Sequence, residues 1–326
     1  MTQVVFLGSG PFAVPILERL ARLESQLHVI TRPDRPAGRG RKLVTTPVGK
    51  RAIALGLHVE APATVNDDAI VERLKALGPR LILVADYGEM LRAPLRAVPS
   101  VGIFNLHASL LPELRGAAPV VHALLRGDTR TGVTLFRIES GLDSGPIVDR
   151  VETAIGESET SGELEARLAG LAAELVEKDL AMLLAGTFIE TPQDASRATP
   201  APKLSRGAWD LSWEQPARSV VDFIRAMSPR PGAQALLRLA PGGEALRVKL
   251  LRSRLVAAKS ATDLGPGTVS GIEKHTFRVA AIGGEIEVLE IQPAGRALQS
   301  ASEFLRGHPL TRESRFERIP SGTDCA

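Results

Sequence analysis

Val4-Val5-Phe6-Leu7-Gly8-Ser9-Gly10-Pro11-Phe12-Ala13 joins a four-residue apolar run to a glycine-rich turn, and the periodic stretch Val14 to Leu23 follows at once. A short apolar run, a Gly turn and an amphipathic helix with Pro near its start form the opening strand-to-helix step of a parallel sheet. The step recurs. Leu27-His28-Val29-Ile30, Leu81-Ile82-Leu83-Val84, Gly102-Ile103-Phe104-Asn105 and Thr134-Leu135-Phe136-Arg137 read as further strands, with Asn66 to Leu77 and Pro119 to Leu125 among the helices between them. This alternation predicts an α/β domain over residues 1–190, built on a doubly wound, mostly parallel sheet. In such sheets ligands sit beyond the carboxyl ends of the strands, where Gly8, Tyr87, Asn105 and Glu139 fall on this reading. Ser158 to Leu184 carries Glu and Lys along one face and reads as a covering helix.

The stretch Thr191 to Pro202 is polar, holds three prolines and lacks periodicity, so a linker is expected over residues 191–207. Residues 208–326 then suggest one helix, Ala217 to Met227, and short strands broken by Gly and Pro: Gln234 to Leu239, Ala245 to Leu251, Gly267 to Ser270, Thr276 to Ala281 and Glu285 to Ile291. About five short strands in so little chain suit a small closed, OB-like β-barrel. The tail from Thr311 on is expected to be disordered.

Composition narrows the setting. A chain of 326 residues, 44% of them hydrophobic, can bury a sizeable core. Its single Cys, Cys325, excludes an intrachain disulfide and a thiolate metal cluster, and no metal is implied. Residues 1–12 lack the basic start and long apolar run of a signal peptide, and no later stretch approaches a membrane span. A cytoplasmic protein is expected. Charge is uneven: residues 201–326 hold 18 Lys/Arg against 13 Asp/Glu, whereas residues 1–200 hold 22 against 24. A basic half joined to a neutral, enzyme-like half suggests a polyanion held by one part and processed by the other.

The chemistry concentrates in residues 105–145. Asn105 and His107 end a strand two residues apart, so both project to one face and a single carbonyl can meet both side chains. The Asn amide can donate to an oxygen that becomes anionic when an amine attacks an acyl carbon. His107 can add a second donor or move a proton. Asp143, in Gly141-Leu142-Asp143-Ser144-Gly145, can hold that imidazole and relay a proton through water. Which of His107 and Asp143 shuttles the proton stays open. No Cys or Ser sits beside a base as a nucleophile, so direct attack by the amine suffices.

Two other stretches carry signals. Gly8-Ser9-Gly10-Pro11-Phe12-Ala13 fits G-x-G-x-x-A, but the second strand ends at Thr31-Arg32 without the acidic residue that holds a ribose hydroxyl, leaving only an NADP variant through Arg32. The loop Arg32-Pro33-Asp34-Arg35-Pro36-Ala37-Gly38-Arg39-Gly40-Arg41-Lys42 packs five cations and one carboxylate into eleven residues. A mobile arm of this kind can track phosphates or enter a nucleic-acid groove.

Phe104-Asn105-Leu106-His107-Ala108-Ser109-Leu110-Leu111-Pro112, Arg115-Gly116-Ala117-Ala118-Pro119 and Gly141 to Gly145 together resemble the signature of formyltransferases that use 10-formyltetrahydrofolate. The basic arm and second domain narrow the resemblance to the methionyl-tRNA formyltransferase branch. Lys203-Leu204-Ser205, Pro229-Arg230-Pro231-Gly232-Ala233 and Leu289 to Arg296 extend it over nearly the whole chain. The resemblance implies a Rossmann-like catalytic domain, followed by an OB-like tRNA-binding domain. The formyl group would pass to the α-amino group of methionyl initiator tRNA, giving N-formylmethionyl-tRNA for translation initiation. It implies that Asn105, His107 and Asp143 are catalytic. Ser109, Leu110, Leu111, Pro112, Asp86, Tyr87, Gly88, Glu139 and Gly141 would surround the folate. Arg39, Arg41 and Lys42 would enter the acceptor stem, and Lys203, Arg206, Arg247, Lys249, Arg252 and Arg254 are read from their charge as tRNA contacts. A monomer is expected. Two departures stand out: Asp86 where the family usually has Ala, and Arg92 where it usually has Pro. The rival readings are a formyltransferase acting on an amino sugar nucleotide, an NADP-binding oxidoreductase, and a pure RNA-binding module.

Overall fold

The computed structural model describes residues 4–24, 26–37, 42–205, 207–256 and 264–320. Up to residue 185 the strands are β1 (Val4–Gly8), β2 (His28–Ile30), β3 (Arg35–Ala37), β4 (Lys42–Val44), β5 (His58–Glu60), β6 (Leu81–Ala85), β7 (Gly102–His107), β8 (Arg130–Arg137) and β9 (Ile147–Ala154). The helices are α1 (Ala13–Leu23), α2 (Pro47–Ala54), α3 (Asp68–Leu77), α4 (Ala93–Arg96), α5 (Pro119–Arg126) and α6 (Ser161–Ala185). Beyond them come α7 (Ala217–Met227), β10 (Ala233–Arg238), β11 (Ala245–Val256), β12 (Val269–Ile272), β13 (Phe277–Ala281), β14 (Gly284–Pro293), β15 (Gln299–Ser300), α8 (Ala301–Gly307) and β16 (Arg315–Glu317).

The chain divides into two compact units. The first takes residues up to 119, 130–154 and 165–202; the second takes 120–129, 155–164 and 203 onward. The stretch expected as a linker is therefore built into the first unit as far as Pro202, and Thr191 pairs with Ile147 through two backbone hydrogen bonds of 2.8 Å. Two excursions of the amino-terminal sequence also belong to the second unit. There, the Arg225 guanidinium reaches the Gly156 carbonyl at 3.0 Å and the Ser161 hydroxyl reaches that of Ser228 at 2.6 Å.

In the first unit one sheet runs in the order β5-β2-β1-β6-β7-β8-β9. The first five strands are parallel. β1 and β6 are buried along their whole length, which is why they read as unbroken apolar runs. Val5, Leu7, Ile82 and Val84 pack with Val71 and Leu74 of α3 and with Tyr87 and Leu95; each such side chain contributes roughly 1.5–3 kcal/mol on burial. Strand order reverses between β1 and β6, so a crevice opens beyond Gly8 and Ala85. One expectation is corrected. β8 runs antiparallel to β7, and Ile138 donates to the Ile103 carbonyl at 2.8 Å, so Glu139 lies near the start of β7 rather than beyond the carboxyl edge. Among the described residues of the arm, β3 pairs antiparallel with β4, Arg35 opposite Val44 and Ala37 opposite Lys42.

The second unit is an antiparallel sheet in the order β12-β13-β14-β11-β10-β16, with β15 added to β14. It curls until its ends meet, as expected of an OB-like domain. Thr268 and Arg315 bridge the two edge strands, Val269 donates to the Ser314 carbonyl at 3.0 Å, and Phe316 donates to that of Gly267 at 2.8 Å. Gly267 is required at this seam: its φ is +86°, and a Cβ there would fall 2.2 Å from the Phe316 carbonyl oxygen. Inside, Phe316 stacks on Phe277 at 6.0 Å between ring centres and lies 5.3 Å from Trp213. The tail is thus part of the barrel through residue 320, contrary to the disorder expected from Thr311; an alternation of only three residues in β16 carried no readable period. Among the described residues no helix is long and apolar enough to cross a membrane.

Two outcomes follow from this packing. Phe316→Ala should cost about 3–5 kcal/mol in chemical denaturation, as removal of a fully buried aromatic does, whereas a dispensable tail would leave stability unchanged. His28 is pushed down to about 4, first by burial and then by His58 and Arg73. Its folded form therefore stays neutral while the unfolded chain takes up a proton. Its contribution is present above pH 6.5 and lost as pH falls through about 4. Melting curves between pH 7 and 4 should show a shallower acid-side decline for His28→Leu than for the wild type.

Candidate active site

β7 sets the geometry. Asn105 and His107 lie on one face of the strand and Leu106 on the other. Asn105 is half-buried, and among the described residues no partner engages its side-chain amide. His107 is buried, and its Nε2 lies 2.9 Å from the Leu114 carbonyl oxygen. A carbonyl only accepts, so Nε2 carries a hydrogen and Nδ1 is the ring atom left for chemistry. Asp143 Oδ2 lies 3.8 Å from Nδ1 and accepts the Gly116 backbone N–H at 2.8 Å. Gly116 has φ +127°, and a Cβ on it would fall 2.6 Å from the Ala201 carbonyl oxygen, so no other residue lets this backbone reach Asp143. The loop after β8 thus returns far enough to complete a cluster of amide donor, imidazole and carboxylate.

The other candidate residues divide by exposure. Ser109 is fully buried, with its hydroxyl on the Glu113 carbonyl at 2.7 Å and its own carbonyl on Thr134 Oγ1 at 2.7 Å. Leu111 and Pro112 are buried too, so within this loop Leu110 keeps the most exposure. Glu139, Gly141, Asp86 and Gly88 are exposed, and Gly88, at φ +77°, has open space beside it. Tyr87 turns its ring into the core, where burial pushes the phenol up to about 12, and its carbonyl accepts the Ser9 hydroxyl at 3.4 Å. These residues leave an apolar contact at Leu110 and open space at Gly88.

The Gly8 turn does not offer free phosphate donors. Ser9 and Gly10 both donate to the Asp86 carbonyl, at 3.1 and 3.3 Å. A Cβ on Gly10 would overlap Asp86 Oδ2, and Arg32, which an NADP site would need, is ion-paired with Glu89. Of the arm cations, Arg39 and Arg41 lie outside the described residues, as does Arg206; Lys42 sits on β4. In the second unit Lys203 is exposed, and Arg247 and Lys249 alternate with buried Val248 and Leu250 on β11. The stem of Lys249 crosses Gly232. Arg252 and Arg254 on the same strand are ion-paired with Glu163 and Glu287, which neutralises charge that the sequence reading counted as free.

His28, His58 and Glu60 gather at the edge of the first sheet, His28 Nε2 3.1 Å from Glu60 Oε1, and their donor atoms lie within 4.8 Å of one another. Arg73 is ion-paired with the same carboxylate, a cation that any metal ion would have to displace. Sequence reasoning missed Gln193 and Thr199, which reach the loops of Asp143 and Leu114. A stretch with three prolines shows its extended backbone but not what that backbone lies against.

The sequence matches the family described as formyl transferase over residues 2–179 and the formyl transferase C-terminal domain over residues 203–309. A protein named methionyl-tRNA formyltransferase from Solibacter usitatus is 40% identical over 315 residues, 96% of this chain and 98% of that one. One of the same name from Methylococcus capsulatus is 41% identical over 309 residues, 94% and 97% of the two chains. The fold is also similar to that of an N-formyltransferase from Helicobacter canadensis solved with folinic acid and dTDP-3-aminofucose: TM-score 0.66, 18% identity, 90% of this chain and 100% of that one.

Asp86, over Gly10, gives this site a pH signature. Although exposed at its edge, its carboxyl is pushed up to about 6, chiefly by dense surroundings and then by Glu165. A raised folded value means that its stabilising contribution is complete below pH 3.8 and is lost as pH rises through about 6. Asp86→Asn should therefore melt progressively higher than the wild type as pH rises from 4 to 7; a constant offset across that range would contradict the assignment.

Proposed function

The chain belongs to the methionyl-tRNA formyltransferase family, and we propose that it moves the formyl group of 10-formyltetrahydrofolate onto the α-amino group of methionyl initiator tRNA. The observation that carries the reading is the approach of His107 Nδ1 to Asp143 at 3.8 Å on the face where the unengaged Asn105 amide also points. The two relatives at 40% and 41% identity over nearly the full length support the acceptor.

The folate would lie across the crevice against residues 86–88 and Leu110, with its formyl group toward Asn105. The amine nitrogen attacks the formyl carbon, and the carbonyl π electrons move onto oxygen. Asn105 donates to that oxyanion, where a positioned donor is worth about 10²–10³ in rate. The bond from carbon to the folate nitrogen then breaks, its electron pair returns to that nitrogen, and a proton arrives there as the ammonium gives one up. His107 and Asp143 are placed to pass these protons, since Nδ1 is the ring atom not held by Leu114. The exchange needs no covalent enzyme intermediate.

Arg39, Arg41 and Lys42 on the arm, and Lys203, Arg206, Arg247 and Lys249 in the second unit, supply the cations for the tRNA phosphates. One chain carries both sets, so a monomer suffices.

The test is formylation of methionyl initiator tRNA with 10-formyltetrahydrofolate. Asn105→Ala should lower kcat by about 10²–10³. Arg39→Ala with Lys42→Ala should weaken tRNA use, and flatten its salt dependence, while folate binding is spared. A folded wild type that binds the folate yet formylates no tRNA would move the acceptor to an amino sugar nucleotide.

A further inference from the structure

Besides Asp86 at φ +44°, two residues beside the candidate site hold backbone angles that L side chains seldom take: Leu114 at φ +61° and Asp143 at φ +47°. Each sets a functional group. The Leu114 carbonyl accepts from His107 Nε2 at 2.9 Å, and Asp143 carries the carboxylate 3.8 Å from Nδ1. Such conformations are disfavoured for L residues and persist only where their surroundings over-determine them.

The same short segment holds both. Thr199 Oγ1 accepts the Leu114 N–H at 2.9 Å, and the Thr199 carbonyl accepts that of Arg115 at 2.8 Å. Ala201 extends the contact, donating to the Arg115 carbonyl at 2.6 Å and accepting from Ala118 at 3.1 Å. Six residues before Thr199, Gln193 Nε2 donates to the carbonyls of Asp143 and Gly145, at 2.9 and 2.7 Å, and so ties the catalytic loop together. Its Oε1 accepts both Nε and an Nη of Arg115, at 3.2 and 2.7 Å. Both donors and the acceptor of this amide are thus spent on the two loops.

We propose that Gln193 and Thr199 are positioning residues for formyl transfer: Thr199 fixes Leu114 and through it the hydrogen on His107 Nε2, and Gln193 fixes the loop that presents Asp143. Neither touches substrate. The inference rests on Asn105, His107 and Asp143 being the reacting groups. Without the Thr199 hydroxyl, Leu114 can relax to a negative φ and turn its carbonyl off the ring, and the hydrogen is then free to sit on either nitrogen. Without the Gln193 amide, the Asp143 loop loses its clamp. Displacement of a reacting group by about 1 Å can cost on the order of 10² in rate, whereas the substrate-binding surfaces are left in place.

The experiment compares Thr199→Val, Thr199→Ser, Gln193→Leu and Asn105→Ala with the wild type. It reads kcat, KM for both substrates, melting temperature, and the ring 15N resonances of His107 in histidine-labelled protein. Thr199→Val and Gln193→Leu should each lower kcat about ten- to a hundredfold, with both KM values within about twofold. Thr199→Ser, which keeps the acceptor, should recover most of the loss. The His107 15N pattern should change in Thr199→Val and not in Thr199→Ser. If Thr199→Val does not fold, Gln193→Leu and the serine variant still decide the matter. A folded Thr199→Val with wild-type kcat and an unchanged 15N pattern overturns the proposal, as does a loss that serine fails to restore. Full activity in Asn105→Ala would sink the site reading itself. Loss of activity there, with wild-type kcat in the Thr199 and Gln193 variants, would sink only the positioning roles.

Discussion

The hydrogen bond from His107 Nε2 to the Leu114 carbonyl, 2.9 Å long, is the constraint on which the site depends. It decides which ring nitrogen faces Asp143, and it exists only because Leu114 adopts a left-handed backbone. That backbone aligns Arg115 and Gly116 with residues 199–201, and Gly116 then delivers its N–H to Asp143. Histidine, carboxylate and the chain that returns past them are therefore one network, so a disturbance in any member reaches the others. Asn105 stands apart from it. Among the described residues no partner engages its side-chain amide.

The parts of this arrangement that follow a short period were legible in the sequence. β1, β6 and β7 are apolar runs because both faces are buried, and α7 spans the residues its periodicity predicted. The two-residue spacing of Asn105 and His107 places them on one face by strand geometry alone. The closeness of Asp143 came from motif resemblance, since the antiparallel turn of β8 sends Glu139 toward the other end of β7 before the loop returns. What remained hidden depends on long-range contact. The three-residue strands β5 and β16 are too short for a period, and β16 is defined by its pairing with β10 and the burial of Phe316. Charge counting could not show the ion pairs of Arg252 and Arg254 for a similar reason, because their acidic partners are distant in sequence.

Glycine marks several places where chain meets chain. At Gly116 the neighbour is the Ala201 carbonyl, and at Gly267 it is the Phe316 carbonyl. In each case the approaching backbone comes from far along the sequence, so the residue type is visible early and its reason only in the fold. Gly10 differs. A carboxylate, that of Asp86, fills the space its side chain would take, and so one side of the crevice has an acid over a turn whose amides are already bonded to the Asp86 carbonyl. That pairing, together with the Arg32–Glu89 ion pair, is what removes the phosphate-binding reading of the glycine turn.

The catalytic unit accordingly does not end where its last regular element ends. α6 stops at Ala185, and a boundary drawn from secondary structure falls at about that point. Yet the groups that hold Leu114 and Asp143 lie at 193 and 199, in a stretch with no helix beyond one short turn and no strand of its own. Its prolines suit this task. They fix an extended backbone in advance, which lowers the entropy lost when the segment is laid against the loops, and they leave the neighbouring N–H and C=O groups free to bond sideways. Polar, non-periodic composition therefore describes a brace as well as it describes a linker. Only the destinations of the hydrogen bonds separate the two, and here they end on the backbones of Leu114, Arg115, Asp143 and Gly145, in the two loops that border His107 and carry Asp143.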